Sequence, residues 1–294
     1  MRNLRMIIAY DGSEFHGWQS QPGMRTVQSI LEQAVRRVVR HQVAIIGAGR
    51  TDSGVHAAGQ VANFFTIRDI PARNLLRAIG SRLPKDMSLE DVRDVPLTFH
   101  ATHSAMCKLY RYRVFASPRR PVTLHAQRYT YHFWHRLDID RLRAAAAVLV
   151  GRHDFTSFAS KGNDRTHNVR CILRCDVFRV GDEIRFDIEG DGFLYNQVRN
   201  IVGTLLEIGR GLWPVERMSE ILAALDRTAA GPTAPARGLS LQWVRYDLRA
   251  LRRSAEAQGL SGAAAADLAS SFALPAGDQP VLPPGTDLEE EPSG

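Results

Sequence analysis

The sequence predicts an α+β protein with two similar halves, in which a mixed, mostly antiparallel sheet is flanked by helices and a central basic cleft lies between the halves. Segments in which apolar and polar residues alternate, as in half-buried strands, are interspersed with segments whose apolar residues recur at helical spacing. The order of these segments in residues 1–105 recurs loosely in residues 106–250, without sequence identity between the two stretches. We therefore expect two halves related by a pseudo-twofold organisation.

The first half begins with an alternating strand over residues 4–10, followed by a turn-rich loop over residues 11–23. A helix comes next, because Thr26 is a suitable N-cap and the apolar residues after it keep helical spacing as far as Val39. The remaining elements predicted for this half are strands at 43–47 and 60–67 and a helix at 72–81.

The second half follows the same scheme with more aromatic strands. Asp138 can cap a helix that runs to Val150, and residues 180–182 can form the turn of a hairpin. The helix predicted at 195–209 is strongly amphipathic. The strands predicted here cover 108–115, 128–134, 171–180, 183–189 and 240–248, and a further helix covers 215–226.

The charge distribution predicts a polyanionic partner. The chain has 294 residues and a net charge of +7, and all 38 of its basic residues lie at or before Arg253. Residues 1–253 contain only 24 of the 31 acidic residues, which gives this part of the chain a net charge of +14. Arginine, whose planar guanidinium binds phosphate oxygens in pairs, supplies 35 of the 38 basic residues. A genomic bias toward arginine codons would explain that ratio but not the net charge.

Residues 254–294 differ in composition, being rich in alanine, proline, glycine, serine and acids. We expect a mostly disordered acidic tail with one weak helical turn at 263–272, and screening of the basic groove by this tail is an alternative role.

The three cysteines, an odd number, favour buried thiols in a reducing cytoplasm over disulfides or a zinc site. No apolar run reaches membrane-spanning length, so we expect a cytoplasmic protein without membrane contact.

The segment Gly49-Arg50-Thr51-Asp52-Ser53-Gly54-Val55-His56 is the strongest candidate for chemistry. It places the Asp52 carboxylate beside a guanidinium, after a strand and in a loop too rich in glycine for a helix, which favours a functional role. A turn aspartate that bonds its own backbone is the simpler alternative. A dinucleotide-binding glycine motif is disfavoured, because Asp52 stands where the third glycine belongs and no amphipathic helix follows.

Two further residues stand out by their position on predicted elements. Tyr110 shares one face of its strand with Tyr112, while Arg111 and Arg113 lie on the other. Arg199 lies on a polar flank next to the apolar stripe of its helix, from where it could direct a cation toward the sheet edge. Taken singly, an ordinary half-buried tyrosine and a solvated helix arginine remain alternatives.

These residues belong to six ordered blocks that resemble the tRNA pseudouridine synthase A (TruA) family. The resemblance extends from about residue 4 to residue 248 and leaves out only the tail. The blocks are Tyr10-Asp11-Gly12-Ser13, Gly17-Trp18-Gln19, Gly49 to His56, Tyr110-Arg111-Tyr112, His153-Asp154-Phe155-Thr156-Ser157-Phe158, and Asn196-Gln197-Val198-Arg199-Asn200-Ile201-Val202-Gly203.

The resemblance implies the pseudouridine synthase fold and a set of residue roles. Asp52 would be the catalytic carboxylate, Arg199 its ion-pair partner, and Tyr110 the aromatic residue that stacks on the target base and could act as the base. Arg50 would help to hold the place of the flipped-out nucleotide. The other residues that the blocks suggest for substrate binding are Thr51, His56, Asn196 and Gln197.

The implied reaction converts uridine to pseudouridine in the anticodon stem-loop of tRNA, at positions 38 to 40, and the implied assembly is a homodimer. Because isomerisation neither adds nor removes atoms, we expect no cofactor and no metal. A neighbouring guanidinium predicts a lowered pKa for Asp52, and the target nucleotide must leave its stem to be reached. Whether Asp52 attacks C6, attacks C1′ or removes a ribose proton stays open.

Two positions depart from the family pattern: Ser53 replaces a more usual alanine, and Thr102 stands where arginine is frequent, so one RNA contact could be weaker or relocated. Two other functions are compatible with parts of the sequence. One is a non-catalytic RNA-binding or RNA-chaperoning protein, which would not need Asp52. The other is an α/β enzyme that binds a small nucleotide such as NAD.

Overall fold

The computed structural model describes residues 1–160 and 167–258. Within them, ten strands and seven α-helices surround one main hydrophobic core. The strands are β1 (Arg2–Tyr10), β2 (Ile46–Gly47), β3 (His56–Thr66), β4 (Met87–Val95), β5 (Ala105–Ala116), β6 (Tyr131–Phe133), β7 (Gly151–Asp154), β8 (Val169–Val180), β9 (Glu183–Gly190) and β10 (Leu239–Tyr246). The helices are α1 (Val27–Val39), α2 (Ala72–Gly80), α3 (Leu124–Tyr129), α4 (Ile139–Ala147), α5 (Gln197–Gly209), α6 (Arg217–Ala224) and α7 (Leu248–Ala257).

The described strands form a single sheet in the order β4-β1-β3-β10-β5-β9-β8-β7, with β2 added to β3 and β6 added to β5. Most neighbours are antiparallel, whereas β10 runs parallel to β3 and β6 runs parallel to β5. Strand β10 lies between β3 and β5 and so connects strands β1–β4 with strands β5–β9 in the sheet. The predicted fold class, a mixed and mostly antiparallel sheet flanked by helices, is confirmed.

One row of paired residues crosses the middle of the sheet. Tyr10 is paired with Ala57, Ala57 with Leu241, Leu241 with Tyr110, and Tyr110 with Ile188. Side chains of directly paired residues lie on the same face of a sheet. All five are buried in the main core, so this row marks the face of the sheet that packs against that core.

The sequence explains where the first helix begins. The Thr26 side chain accepts a hydrogen bond from the Ser29 backbone N–H, and the Ser29 side chain accepts one from the Thr26 backbone N–H, which forms a capping box. The apolar face of α1 buries Leu31 and Val35 completely. The predicted N-cap and helix bounds are confirmed.

Helix α5 is buried along most of its length. Gly203 allows the segment around Pro232 to pass directly over it, because a Cβ at this position would lie 1.7 Å from the Pro232 carbonyl oxygen. The same segment then reaches Ala234, whose backbone N–H donates a hydrogen bond to the Arg199 carbonyl oxygen at 3.1 Å. The glycine therefore lets this segment run beside the first turn of α5.

Several elements differ from the predictions. The edge strand β4 is absent from them, because its sequence, MSLEDVRDV, is too acidic to be recognised as a strand. The strand predicted at 128–134 is instead helix α3, capped by Thr123, followed by the three residues of β6. Helix α7 extends to Ala257, so residues 254–257 of the predicted tail are helical, and the turn expected at 263–272 lies outside the described residues.

Candidate active site

Asp52 lies in the loop between β2 and β3, beside a cavity of about 610 Å³. The loop turns sharply at Gly54, whose φ of +78° belongs to the left-handed region that favours glycine. The cavity lies on the side of the sheet that Tyr110 faces, between the Asp52 loop and the start of α5. Its walls include Trp18, Ile46, Gly47, Arg50, Thr51, Asp52, Thr102, Lys108, Tyr110, Phe193, Tyr195, Asn196, Gln197, Arg199 and Leu239.

Asp52 and Arg199, 147 residues apart in the chain, form an ion pair in this cavity. Arg199 Nη1 lies 3.2 Å from Asp52 Oδ2, and the two side chains are 18% and 20% exposed. The guanidinium is fixed by two further bonds, from Nε to the Ala234 carbonyl oxygen at 2.8 Å and from Nη1 to Asn196 Oδ1 at 2.7 Å. A cation held at three points constrains where the carboxylate lies.

Asn196 connects this ion pair to the start of α5. Its backbone is in the left-handed region, with φ 61°, which asparagine tolerates better than most residues. Its side chain does not cap the helix but accepts from Arg199 and donates to Ser160 Oγ at 3.1 Å. Asn196 therefore orients Arg199, and the substrate binding expected from the sequence stays a prediction.

The pKa of Asp52 is raised above its ordinary value, because burial disfavours the charged carboxylate more than Arg199 favours it. The sequence led us to expect a lowered pKa, and that direction was wrong. The neighbouring cation was foreseen, but the extent to which the cavity removes the carboxylate from water was not. A carboxylate of raised pKa is a better proton acceptor than an ordinary aspartate when it is ionised.

Tyr110 faces the same cavity from the middle of β5 and is 7% exposed. Its ring meets Phe193 edge to face, with the centroids 5.2 Å apart. Burial raises the pKa of Tyr110 strongly, and the nearby Tyr10 and Asp52 add to the effect, so the phenol stays protonated at neutral pH. This favours Tyr110 as a ring that contacts a base over Tyr110 as the general base.

Three of the other predicted residues also line the cavity, and one does not. Arg50, Thr51 and Gln197 are part of its wall, although Gln197 uses its side-chain oxygen to accept the Leu194 backbone N–H at 2.8 Å. His56 lies on the reverse face of the sheet, because it precedes Ala57 of the central row and alternate residues of a strand point to opposite faces.

The His56 side chain is occupied by structural contacts. Its Nδ1 accepts the Gly12 backbone N–H at 3.0 Å, and its Nε2 lies 3.2 Å from the Arg237 carbonyl oxygen. It lines a second cavity, of about 410 Å³, together with Asp11 and Tyr129. The structure thus separates His56 from the cavity of Asp52, and the substrate-binding role expected for it stays a prediction.

Sequence reasoning missed Lys108, which lies on the same face of β5 as Tyr110 and two residues before it. Its ammonium donates to the Ala48 carbonyl oxygen at 2.6 Å from within the cavity wall. That shared strand face was the signal that could have identified it. Thr102, the departure from the family pattern, donates to the Gly47 carbonyl oxygen at 2.7 Å, so it supports the same loop.

In the described parts of the chain, no group of three or more histidine, cysteine, aspartate or glutamate side chains could hold a metal ion. The described helices include none that combines the length and the apolar character needed to cross a bilayer.

Comparison with known proteins identifies the family. The family model described as tRNA pseudouridine synthase matches residues 6–104 and 145–247. The tRNA pseudouridine synthase A of Limosilactobacillus fermentum is 44% identical over 256 residues, which cover 84% of this chain and 97% of the relative. That of Acetivibrio thermocellus is 43% identical over 246 residues, which cover 84% of this chain and 100% of the relative.

Among solved structures, a chain of a Cbf5-Nop10-Gar1 complex aligns over 69% of this protein and 54% of its own length, with 8% identity and a TM-score of 0.31. At that score the two folds share too little to support a conclusion. The family match and the curated relatives, in contrast, cover nearly the whole stretch in which the six sequence blocks lie. The chain belongs to the tRNA pseudouridine synthase family.

Proposed function

We propose that this protein isomerises uridine to pseudouridine in tRNA, and that the cavity between the Asp52 loop and α5 receives the target nucleotide. The observation that carries the proposal is the Asp52–Arg199 ion pair, which faces the same cavity as the ring of Tyr110. Membership of the family supports the reaction, and the positive charge of residues 1–253 suits a polyanionic substrate.

The reaction breaks the N1–C1′ bond, rotates the uracil and joins C5 to C1′, after which the proton on C5 leaves. Asp52 would act as the nucleophile or as a proton acceptor, and its raised pKa suits either role. Arg199 would hold the carboxylate in place and stabilise its charge. Tyr110 would support the uracil ring during rotation, with Phe193 behind it.

The cavity has the size for a flipped nucleotide, since ligand pockets commonly measure about 300–1,000 Å³. A uridine stacked in an RNA stem cannot reach Asp52, so extrusion must precede the chemistry, at a cost of a few kcal/mol. Arg50, at the cavity wall, could take the space that the extruded nucleotide leaves. Phosphate contacts from the arginine-rich surface would offset part of the cost of extrusion.

We further propose the finer assignments that the family resemblance implies. The substrate would be the anticodon stem-loop, at positions 38 to 40, and the protein would act in the cytoplasm as a homodimer. Residues 1–105 and 106–250 would be the two halves of the catalytic body, and no cofactor or metal would be needed, since the reaction is an isomerisation.

The experiment is to map pseudouridine in an unmodified tRNA transcript before and after incubation with the purified protein. We expect new pseudouridine within positions 38 to 40 and none when those uridines are replaced by cytidines. Pseudouridine at other positions alone would overturn the positional assignment. Tight tRNA binding without any pseudouridine would overturn the catalytic proposal and favour a non-catalytic RNA-binding protein.

A further inference from the structure

Two of the six sequence blocks, Tyr10–Ser13 and Gly17–Gln19, lack a role in the chemistry described above. Both pack against the loop that carries Asp52. Of their residues, Trp18 and Gln19 line the cavity that we propose receives the target nucleotide, whereas Tyr10 does not. This cavity is called the catalytic cavity below. An effect of Tyr10 on the reaction must therefore pass through a neighbour.

Tyr10 is well placed to act through Thr51. It lies at the end of β1, in the central row of paired residues. In that row, Ala57 and Leu241 separate it from Tyr110. Its side chain is almost completely buried, and its hydroxyl lies 2.8 Å from Thr51 Oγ1. Burial raises the pKa of Tyr10 to about 12, so the hydroxyl remains neutral at physiological pH.

The backbone of the loop that carries Asp52 is held by a second set of contacts. The Trp18 backbone N–H donates to the Thr51 carbonyl oxygen at 3.0 Å. The Phe15 carbonyl oxygen accepts from the Gly54 backbone N–H at 3.3 Å and from Ser53 Oγ at 3.2 Å. Thr51 is thus bonded through its side chain by Tyr10 and through its carbonyl by Trp18.

Gly17 permits this close packing. Its φ is +81°, and a Cβ there would lie 2.8 Å from the Thr51 carbonyl oxygen. The two loops therefore approach each other so closely that the Thr51 backbone has little room to move. What remains adjustable is the rotation of the Thr51 side chain, which the bond to Tyr10 restricts.

We propose that Tyr10 is a positioning residue, whose hydroxyl fixes Thr51 and thereby the direction in which the Asp52 carboxylate meets Arg199 and the substrate. This inference rests on the proposed pseudouridine synthase activity. It assigns a purpose to a buried hydroxyl on β1 that does not itself reach the cavity. A displacement of reacting groups by about 1 Å can lower a rate by about 100-fold, so a modest loosening of Asp52 is measurable.

The first test compares two buried tyrosines. Tyr10→Phe removes the hydroxyl that bonds Thr51, and Tyr246→Phe removes a hydroxyl that donates to the Ala101 carbonyl oxygen at 2.8 Å, away from the catalytic cavity. Each variant loses a buried tyrosine hydroxyl and a hydrogen bond that it makes, and the activities of the two variants are compared at equal folded fraction. We expect kcat to fall about 10-fold in Tyr10→Phe with KM unchanged, and to fall less than 2-fold in Tyr246→Phe.

The second test is a double-mutant cycle between Tyr10→Phe and Thr51→Val, a change that removes the Thr51 hydroxyl but keeps its shape. If the two hydroxyls act as one unit, kcat of the double variant should be close to that of the worse single variant. Multiplicative effects would overturn the proposal, as would a kcat for Tyr10→Phe within 2-fold of Tyr246→Phe. These outcomes require an active parent enzyme, so they are distinguishable from failure of the proposed function, in which the parent itself makes no pseudouridine.

Discussion

Two cavities lie on opposite faces of the same sheet, and each contains an aspartate next to an arginine. In the catalytic cavity, the carboxylate of Asp52 has one side-chain partner among the described residues, Arg199 at 3.2 Å. In the second cavity, the carboxylate of Asp11 accepts from Ser13 Oγ at 2.6 Å and from Tyr129 Oη at 2.8 Å, and it pairs with Arg128.

The two carboxylates differ in pKa because they differ in the number of donors. Burial acts to raise both values. For Asp11 the hydrogen bonds from Ser13 and Tyr129 and the nearby His56 outweigh burial and lower the pKa to about 2, whereas for Asp52 Arg199 does not outweigh it. A carboxylate saturated with donors serves the structure, and a buried carboxylate with a single cation beside it is available for chemistry.

The largest expected effect separates these two residues directly. Asp52→Asn should reduce pseudouridine formation by on the order of 10³-fold or more, because the amide can neither attack nor accept a proton, while tRNA affinity stays within a few fold. Asp11→Asn should retain most of the parent protein's activity when activity is expressed per folded molecule. Product mapping and filter binding measure the two quantities. Equal losses of activity in both variants, at equal folded fraction, would contradict the distinction.

The second effect concerns the two arginines. Arg199→Met should lower kcat about 100-fold, because a preorganised cation next to the reacting carboxylate is lost. Arg128→Met, which removes the partner of Asp11, is the matched control and should lower kcat less than 3-fold. Single-turnover rates at saturating protein isolate the chemical step. A stronger loss in Arg128→Met than in Arg199→Met would reverse the assignment.

The third effect tests how Tyr110 contributes. Because its hydroxyl stays protonated at neutral pH, the ring should matter more than the hydroxyl. We expect Tyr110→Phe to lower kcat about 10-fold or less, and Tyr110→Ala to lower it by a further factor of about 10, from the loss of ring contact with the base. A complete loss of activity in Tyr110→Phe, comparable to Asp52→Asn, would instead identify the hydroxyl as an essential proton acceptor.

The fourth effect is the pH dependence of stability, which should report Asp11. A carboxylate whose pKa is lowered in the folded state, from 3.8 to about 2, stabilises the fold above the unfolded value and loses this contribution as the pH falls toward 2. Allowing for solvent screening, the contribution is about 1–2 kcal/mol.

Urea unfolding of the parent protein and of Asp11→Asn between pH 7 and pH 2 measures this contribution. The difference in unfolding free energy should be constant above about pH 5 and should shrink toward zero near pH 2. For Asp52 the pKa shift has the opposite sign, so its carboxylate is protonated at a higher pH than an ordinary aspartate. The acid limb of kcat/KM, which reports the free protein, should therefore lie above pH 3.8. An acid limb below this value would contradict the pKa direction.

The smallest effect is on the salt dependence of tRNA binding. If arginines bind phosphates, log affinity should fall linearly with log salt concentration, with a slope of about 0.7–0.9 per phosphate contact. Asp52→Asn and Asp11→Asn should share the slope of the parent protein, since neither carboxylate binds phosphate. A flat response in the parent protein would exclude an arginine-lined RNA surface.

Much of the site was predictable because its residues lie in short, ordered blocks. Asp52, Tyr110 and Arg199 were selected from the sequence, and the structure brings all three to one cavity. Their separation in the chain explains why the pairing itself was not derivable from local pattern: Asp52 precedes β3 and Arg199 lies on α5, and β10 places β3 close to β5 in the sheet.

The differences between the predictions and the structure have local physical causes. His56 was grouped with Asp52 by proximity in sequence, but β3 begins at His56 and therefore directs this side chain to the reverse face. The pKa direction of Asp52 depends on how completely the cavity excludes water, which a sequence does not report. The edge strand β4 was missed because an edge strand can carry charged residues that a central strand cannot.

The most direct test of the account is a structure of the Asp52→Asn variant bound to an unmodified tRNA. The account predicts a uridine extruded from the anticodon stem-loop, with its base in the catalytic cavity, in contact with the ring of Tyr110 and next to position 52. A well-ordered tRNA whose uridines all remain stacked, with the cavity facing away from the RNA, would contradict it.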